Sequence, residues 1–238
     1  MSNLVYLDAG HGGTDSGAIG QGFYEKERAL TLTKLVQKLL EAQGVPVRLT
    51  RSTDVFVELK KRAELANNAG AKLFVSFHLN AGGGEGYETF THTSRSTGSV
   101  KLQNLLHDEA MKVLKPLGFA DRGKKNANLS VTRNTKMPAV LTENGFIDSA
   151  KDMEHIGKDS VLSQLAEAYA KAILAYLGLT YKPSSSTCES TGNQTIGQSD
   201  NKSNSSLTYV QIGAFSDEKN AKALAEEAKK AGFNVTLK

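Results

Sequence analysis

The chain has 238 residues, 39% of them hydrophobic, enough for one substantial domain and a small appendage. Its one cysteine, Cys188, excludes an intramolecular disulfide and a cysteine-based metal cluster. The net charge of +4 is a mild basic excess that suits a polyanionic partner but falls short of the dense patch of a nucleic-acid binder.

Met1-Ser2-Asn3 lead straight into the apolar run Leu4–Leu7, with no basic segment followed by an apolar one. No secretory leader is therefore expected, and a substrate outside the cytoplasm would be reached by cell lysis or another non-signal route. Leu4–Leu7 reads as a buried strand. Leu32, Leu35, Val36, Leu39 and Leu40 then recur at helical spacing, with Gly44 as a stop signal. Val45–Leu49 is a second strand. Leu59, Ala63 and Ala66 mark a helix ending near Gly70, and Leu73–Phe77 is a third strand. Gly86–Thr91 is a weaker strand, and residues 99–115 carry Leu102, Leu105, Leu106 and Val113 on a helix. Leu129–Thr132 is a weaker strand and Ala139–Leu141 a firmer one. Leu162, Leu165, Ala166, Tyr169, Ile173 and Leu177 mark a last helix, and Gly178 stands where a left-handed cap would. The alternation implies an α/β fold: a mostly parallel twisted sheet with helices on both faces. No apolar run approaches the ~18–20 residues that span a bilayer, so no membrane insertion is expected.

Three segments follow from composition. Residues 1–180 form the main domain. Residues 181–206 are rich in Ser, Thr, Asn and Gly, and bury too little to offset their ordering entropy, which predicts a flexible linker. Residues 207–238 read as a small βαβ unit, with alternation at Tyr209–Ile212 and an N-cap at Ser216. A unit of that size cannot bury its own core well.

In open α/β sheets, ligands bind beyond the carboxyl ends of the strands. His11 follows the first strand, His78 the third, and Glu143 follows Ala139–Leu141. Glu25, where the loop after His11 turns into the first helix, is a fourth candidate, with Glu27 as a rival. Two histidines and a carboxylate make a catalytic zinc shell with one position left for water, and a further glutamate can act as general base. A histidine after a strand is more often structural. The glycines around His11 could instead cradle a phosphate, but they lack the Gly-x-Gly-x-x-Gly order. His92, His107 and His155 have no such setting and read as surface residues.

The strings LDAGHGGTDSGAIGQGFYEKE, SFHLNA and PAVLTENGFIDS resemble the three motifs of the zinc N-acetylmuramoyl-L-alanine amidases of the amidase-3 type, and RGKKNANLSVTR also fits. The resemblance runs over roughly residues 3–178. It implies His11, Glu25 and His78 as Zn2+ ligands, favouring Glu25 over Glu27 because the family glutamate precedes a lysine, here Lys26. It implies Glu143 as the catalytic glutamate. Residues 207–238 resemble one half of a SPOR-type peptidoglycan-binding module, which normally has two halves. The function so implied is hydrolysis of the amide between N-acetylmuramic acid and L-alanine in peptidoglycan, by a monomer without a nucleic-acid partner, in mother-cell or spore-related wall lysis. The alternatives are a phage endolysin of the same chemistry and a non-catalytic wall-binding protein. No autoinhibitory insertion stands out between His78 and Glu143, so activity without an activator is expected.

Overall fold

A computed structural model of the chain describes residues 3–183, with Lys222 and Glu226, both helical. Contacts divide the chain into two compact units, Met1–Ser186 and Thr187–Lys238. Nearly all of the expected linker and C-terminal βαβ unit lies outside the described residues.

The first unit alternates strand and helix. In chain order it comprises β1 (Val5–Ala9), β2 (Ile19–Gly20), β3 (Phe23–Tyr24), α1 (Glu25–Ala42), β4 (Val47–Leu49), α2 (Leu59–Asn68), β5 (Leu73–Asn80) and β6 (Tyr87–Thr91). It continues with α3 (Thr97–Leu114), β7 (Asp121–Asn126), α4 (Ser130–Asn134), β8 (Ala139–Phe146), α5 (Ala150–Ile156) and α6 (Asp159–Leu177). Six strands make one sheet in the order β4-β1-β5-β8-β6-β7. β4, β1, β5 and β8 run parallel, whereas β6 and β7, parallel to each other, run against β8.

Side chains alternate between the faces of a strand, and here the two faces differ. Val5, Leu7, Val75, Phe77 and Val140 pack into a large core with Leu32 and Val36 of α1, Leu102 and Leu106 of α3, and Leu165 and Tyr169 of α6. Tyr6, Phe74, Ala139 and Leu141 meet Ala66 of α2 and Val131 of α4 in a smaller core. The smaller core ends partway along the strands. Beyond it, at the same alternation, come Asp8 on β1, Ser76 and His78 on β5, and Glu143 on β8. That face is thus apolar at the amino ends of the strands and polar at their carboxyl ends.

The mostly parallel sheet with helices on both faces agrees with the sequence. Leu129–Thr132 does not: it lies mainly in α4, covering the smaller core through Val131. Both β7 and α5 have no counterpart among the sequence-derived elements. β7 reads DRGKKN and has no apolar alternation because it is a sheet edge, where charge discourages further pairing. α5 spans only 7 residues, capped where the Ser149 side chain accepts from Asp152 N. His107 is also corrected. It is 2% exposed on α3, with Nδ1 3.0 Å from Thr89 Oγ1 and Nε2 2.9 Å from Asp121 Oδ1.

Candidate metal centre and active site

Three elements bring His11, Glu25 and His78 to one point. His11 sits on the turn after β1 in the left-handed region, φ 58°. Glu25 opens α1, where the positive end of the helix favours a carboxylate. The β2–β3 hairpin delivers the chain to that point, and Ala18 N donates to Glu25 Oε2 at 2.9 Å. His11 Nε2 and His78 Nδ1 lie 3.0 and 2.9 Å from one atom, Glu25 Oε1. One ligand atom from each of the three residues lies within 4.8 Å of the others. Glu27, the rival carboxylate, is exposed and outside this group, whereas Glu25 is buried. The far nitrogen of His11, Nδ1, is 2.9 Å from Asp15 Oδ2, which fixes the ring with Nε2 facing inward.

Two glycines make the room. A Cβ on Gly10 would stand 2.4 Å from His78 Cε1. One on Gly17 would stand 2.6 Å from Glu25 Oε2 and 2.7 Å from His11 Cδ2, at a φ of +63° that disfavours side chains.

Burial works against charge on all three groups, and their mutual attraction overrides it. Hydrogen bonds from both imidazoles hold Glu25 well below the usual carboxylate range. Glu25 in turn raises His11 and lifts His78 to about 9. The pocket therefore attracts positive charge around one fixed carboxylate. The donor set, two imidazole nitrogens and a carboxylate, suits a borderline cation such as zinc.

Glu143 is the register partner of His78 on the adjacent strand. Its Oε2 is buried and has no hydrogen-bond partner among the described residues. Burial, reinforced by Glu25 and Glu88 and opposed by the imidazoles, pushes its carboxyl up to about 7. A buried carboxylate left unpaired costs stability, and such groups concentrate at functional sites.

Several residues of the support lay beyond the sequence reading. Arg62, 2% exposed, donates to Asp8 Oδ1 at 2.8 Å and to the carbonyls of Ala9 and His11 at 2.7 Å each. Arg51 donates to the carbonyls of Ala9 at 3.0 Å and Gly10 at 2.8 Å. Two guanidinium groups thus clamp the turn that carries His11. Asp8 also accepts from Thr50 and Ser76 at 2.6 Å each. Asn144 Nδ2 donates to His78 O at 2.9 Å, and its Oδ1 accepts from Tyr169 OH at 2.5 Å. The only signal available was polar residues interrupting apolar patterns, which surface positions also produce.

Fold and site together define a hydrolytic enzyme. The chain belongs to the N-acetylmuramoyl-L-alanine amidase family, whose profile matches residues 5–175, and a SPOR domain profile matches residues 204–238. An endolysin of Bacillus phage SPP1 is 50% identical over 186 residues, covering 76% of this chain and 69% of that protein. The sporulation-specific N-acetylmuramoyl-L-alanine amidase of Bacillus subtilis strain 168 is 37% identical over 232 residues, covering 97% and 82%. Among solved structures, the catalytic domain of CwlV, an N-acetylmuramoyl-L-alanine amidase from Bacillus (Paenibacillus) polymyxa var. colistinus, superposes with a TM-score of 0.70 at 35% identity, over 76% of this chain and all of that one.

Proposed function

We propose that this enzyme hydrolyses the amide between N-acetylmuramic acid and L-alanine in peptidoglycan, with zinc held by His11, Glu25 and His78 and with Glu143 as general base. The observation that carries the reading is the convergence of His11 Nε2 and His78 Nδ1 on Glu25 Oε1, beside Glu143 Oε2, which has no hydrogen-bond partner among the described residues. Bound zinc would supply a Lewis acid that polarises the amide carbonyl and favours ionisation of water. Glu143 takes the proton of the attacking water and passes it to the departing alanine nitrogen, so that the carbonyl carbon gains hydroxyl and the nitrogen gains hydrogen. Asp15 keeps His11 oriented, and the Arg51–Arg62 clamp fixes the turn beneath it.

The setting is wall lysis in a sporulating cell. The relative named as sporulation-specific aligns with 97% of the chain, including its C-terminal unit, while the phage endolysin aligns with 76%. The C-terminal residues 207–238, as a partial SPOR-like repeat beyond the linker 181–206, add affinity for the wall.

The test is digestion of purified peptidoglycan, scored for N-terminal alanine, reducing sugar and acetate. New alanine amino groups without new reducing ends are expected. Acetate without new amino groups would identify a deacetylase instead.

A further inference from the structure

The polar row on this face of the sheet continues past Glu143. β6 runs against β8 with Glu88 paired to Glu143, so that His78, Glu143 and Glu88 form one row across three strands on one face. Glu88 is only 4% exposed. Its Oε1 accepts from Asn80 Nδ2 at 2.7 Å, and its Oε2 accepts from Arg122 Nε at 2.8 Å and from Lys125 Nζ. A register shift between Tyr87 and Thr89 accompanies the meeting of Arg122 and Lys125 of β7 on this one carboxylate. Lys124, between them in sequence, turns away to Asp108 on α3 at 2.7 Å.

Two cations on one carboxylate leave a surplus positive charge. Both are held in place from below: the Arg122 guanidinium lies 4.8 Å from the centre of the Phe146 ring, and Lys125 Nζ lies 6.0 Å from that of Phe90. Both are also accessible, Arg122 at 35% and Lys125 at 40% exposure. Beyond the bond to Glu88, the hydrogen bonding of Arg122 among the described residues is limited to a long contact to Glu85 O at 3.4 Å, so part of its planar donor fork is open for a carboxylate.

We propose that Arg122 and Lys125, anchored by Glu88, form a cationic subsite that receives the free carboxylate of the second residue of the stem peptide. The proposal rests on the amide-hydrolase reading above. β8 and β7 are two strand spacings apart, roughly 10 Å at about 4.8 Å each. An extended peptide advances about 3.3 Å per residue. With L-alanine nitrogen at Glu143, a carboxylate on the next residue comes within the reach of an arginine side chain from β7. The subsite makes the enzyme selective for peptide in which that carboxyl is free over peptide in which it is amidated.

The experiment compares kcat/KM for exposure of N-terminal alanine in two peptidoglycan preparations, one with a free carboxyl on the second stem residue and one with that carboxyl amidated. A charge-assisted hydrogen bond predicts a preference of about 10-fold for the free acid in the wild type. In R122Q and K125Q the ratio of the two rates falls toward one. Each ratio is taken within one variant, so a partly unfolded preparation does not alter it. K34Q, which removes an exposed charge on α1, serves as a control and keeps the ratio. Equal rates on both polymers in the wild type, an unaltered ratio in R122Q and K125Q, or an equal fall in K34Q would each overturn the subsite. Failure of the wild type to expose N-terminal alanine in either polymer would overturn the hydrolase reading itself.

Discussion

His78 and Glu143 are register partners on the adjacent parallel strands β5 and β8. Register partners project to the same face, so the pairing alone brings an imidazole and the unpartnered carboxylate to one side of the sheet. Asn144 reinforces it by donating from β8 to the His78 carbonyl at 2.9 Å. The geometry separates the role of Glu143 from that of the convergent trio, since no atom of Glu143 belongs to that group. Glu143→Gln is therefore expected to lower kcat by about 10²–10⁴-fold, the usual worth of a general base, while zinc affinity is kept. Titration calorimetry with zinc beside rates of N-terminal alanine exposure checks both halves.

Gly10 and Gly17 border the trio so closely that a methyl group displaces a ligand atom. Gly17→Ala adds left-handed backbone strain of about 1–2 kcal/mol to the clash with Glu25 and His11. Both Gly10→Ala and Gly17→Ala are expected to weaken zinc binding by at least about 10-fold, the lower range of effects seen when ligand orientation is disturbed. Zinc titration followed by circular dichroism distinguishes this from unfolding.

Asp8 and Arg62 are a buried ion pair at 2.8 Å beneath the His11 turn. Against the cost of burial, Arg62, Ser76 and Thr50 hold Asp8 below its ordinary value. A depressed folded pKa contributes stability that is present above the unfolded value, about 3.9, and is lost as pH falls through the folded one. Arg62→Met leaves a buried carboxylate without its cation and is expected to cost about 3–5 kcal/mol at neutral pH. Asp8→Asn flattens the fall of stability below about pH 4. Urea unfolding at neutral and acid pH measures both.

α3, the longest element between His78 and Glu143, packs with α6 on the large core, on the sheet face opposite Glu143. None of its residues belongs to the trio. Purified enzyme is therefore expected to release stem peptide with N-terminal alanine from peptidoglycan with no activator. A requirement for an added protein before any release occurs would contradict this.

The central strands of the sheet, its four main helices and the positions of His11, His78 and Glu143 were legible because each leaves a local mark, whereas Glu25 was separated from Glu27 only by the family resemblance. Buried parallel strands such as Leu73–Phe77 are continuous apolar runs, and α6 repeats Leu162, Leu165, Ala166, Tyr169 and Ile173 at helical spacing. His11, His78 and Glu143 stand where strands reach their carboxyl ends. What stayed illegible depends on partners distant in sequence. β7 becomes a strand through pairing with β6, against its own polar composition. His107 is buried because Thr89 and Asp121 satisfy both ring nitrogens, and neither is marked in the local pattern. The Arg51–Arg62 clamp joins residues 41–53 positions apart. Glu88 gained significance only through its pairing with Glu143.

The central claim is that one zinc ion at His11, Glu25 and His78 enables cleavage of the muramoyl–alanine amide. Its most direct test is release of stem peptide with N-terminal alanine from peptidoglycan as zinc is titrated into enzyme stripped by a chelator. Release should start at background, rise to a plateau at one zinc per chain, and proceed without new reducing ends. Full release from metal-free enzyme, or none at saturating zinc, would contradict it.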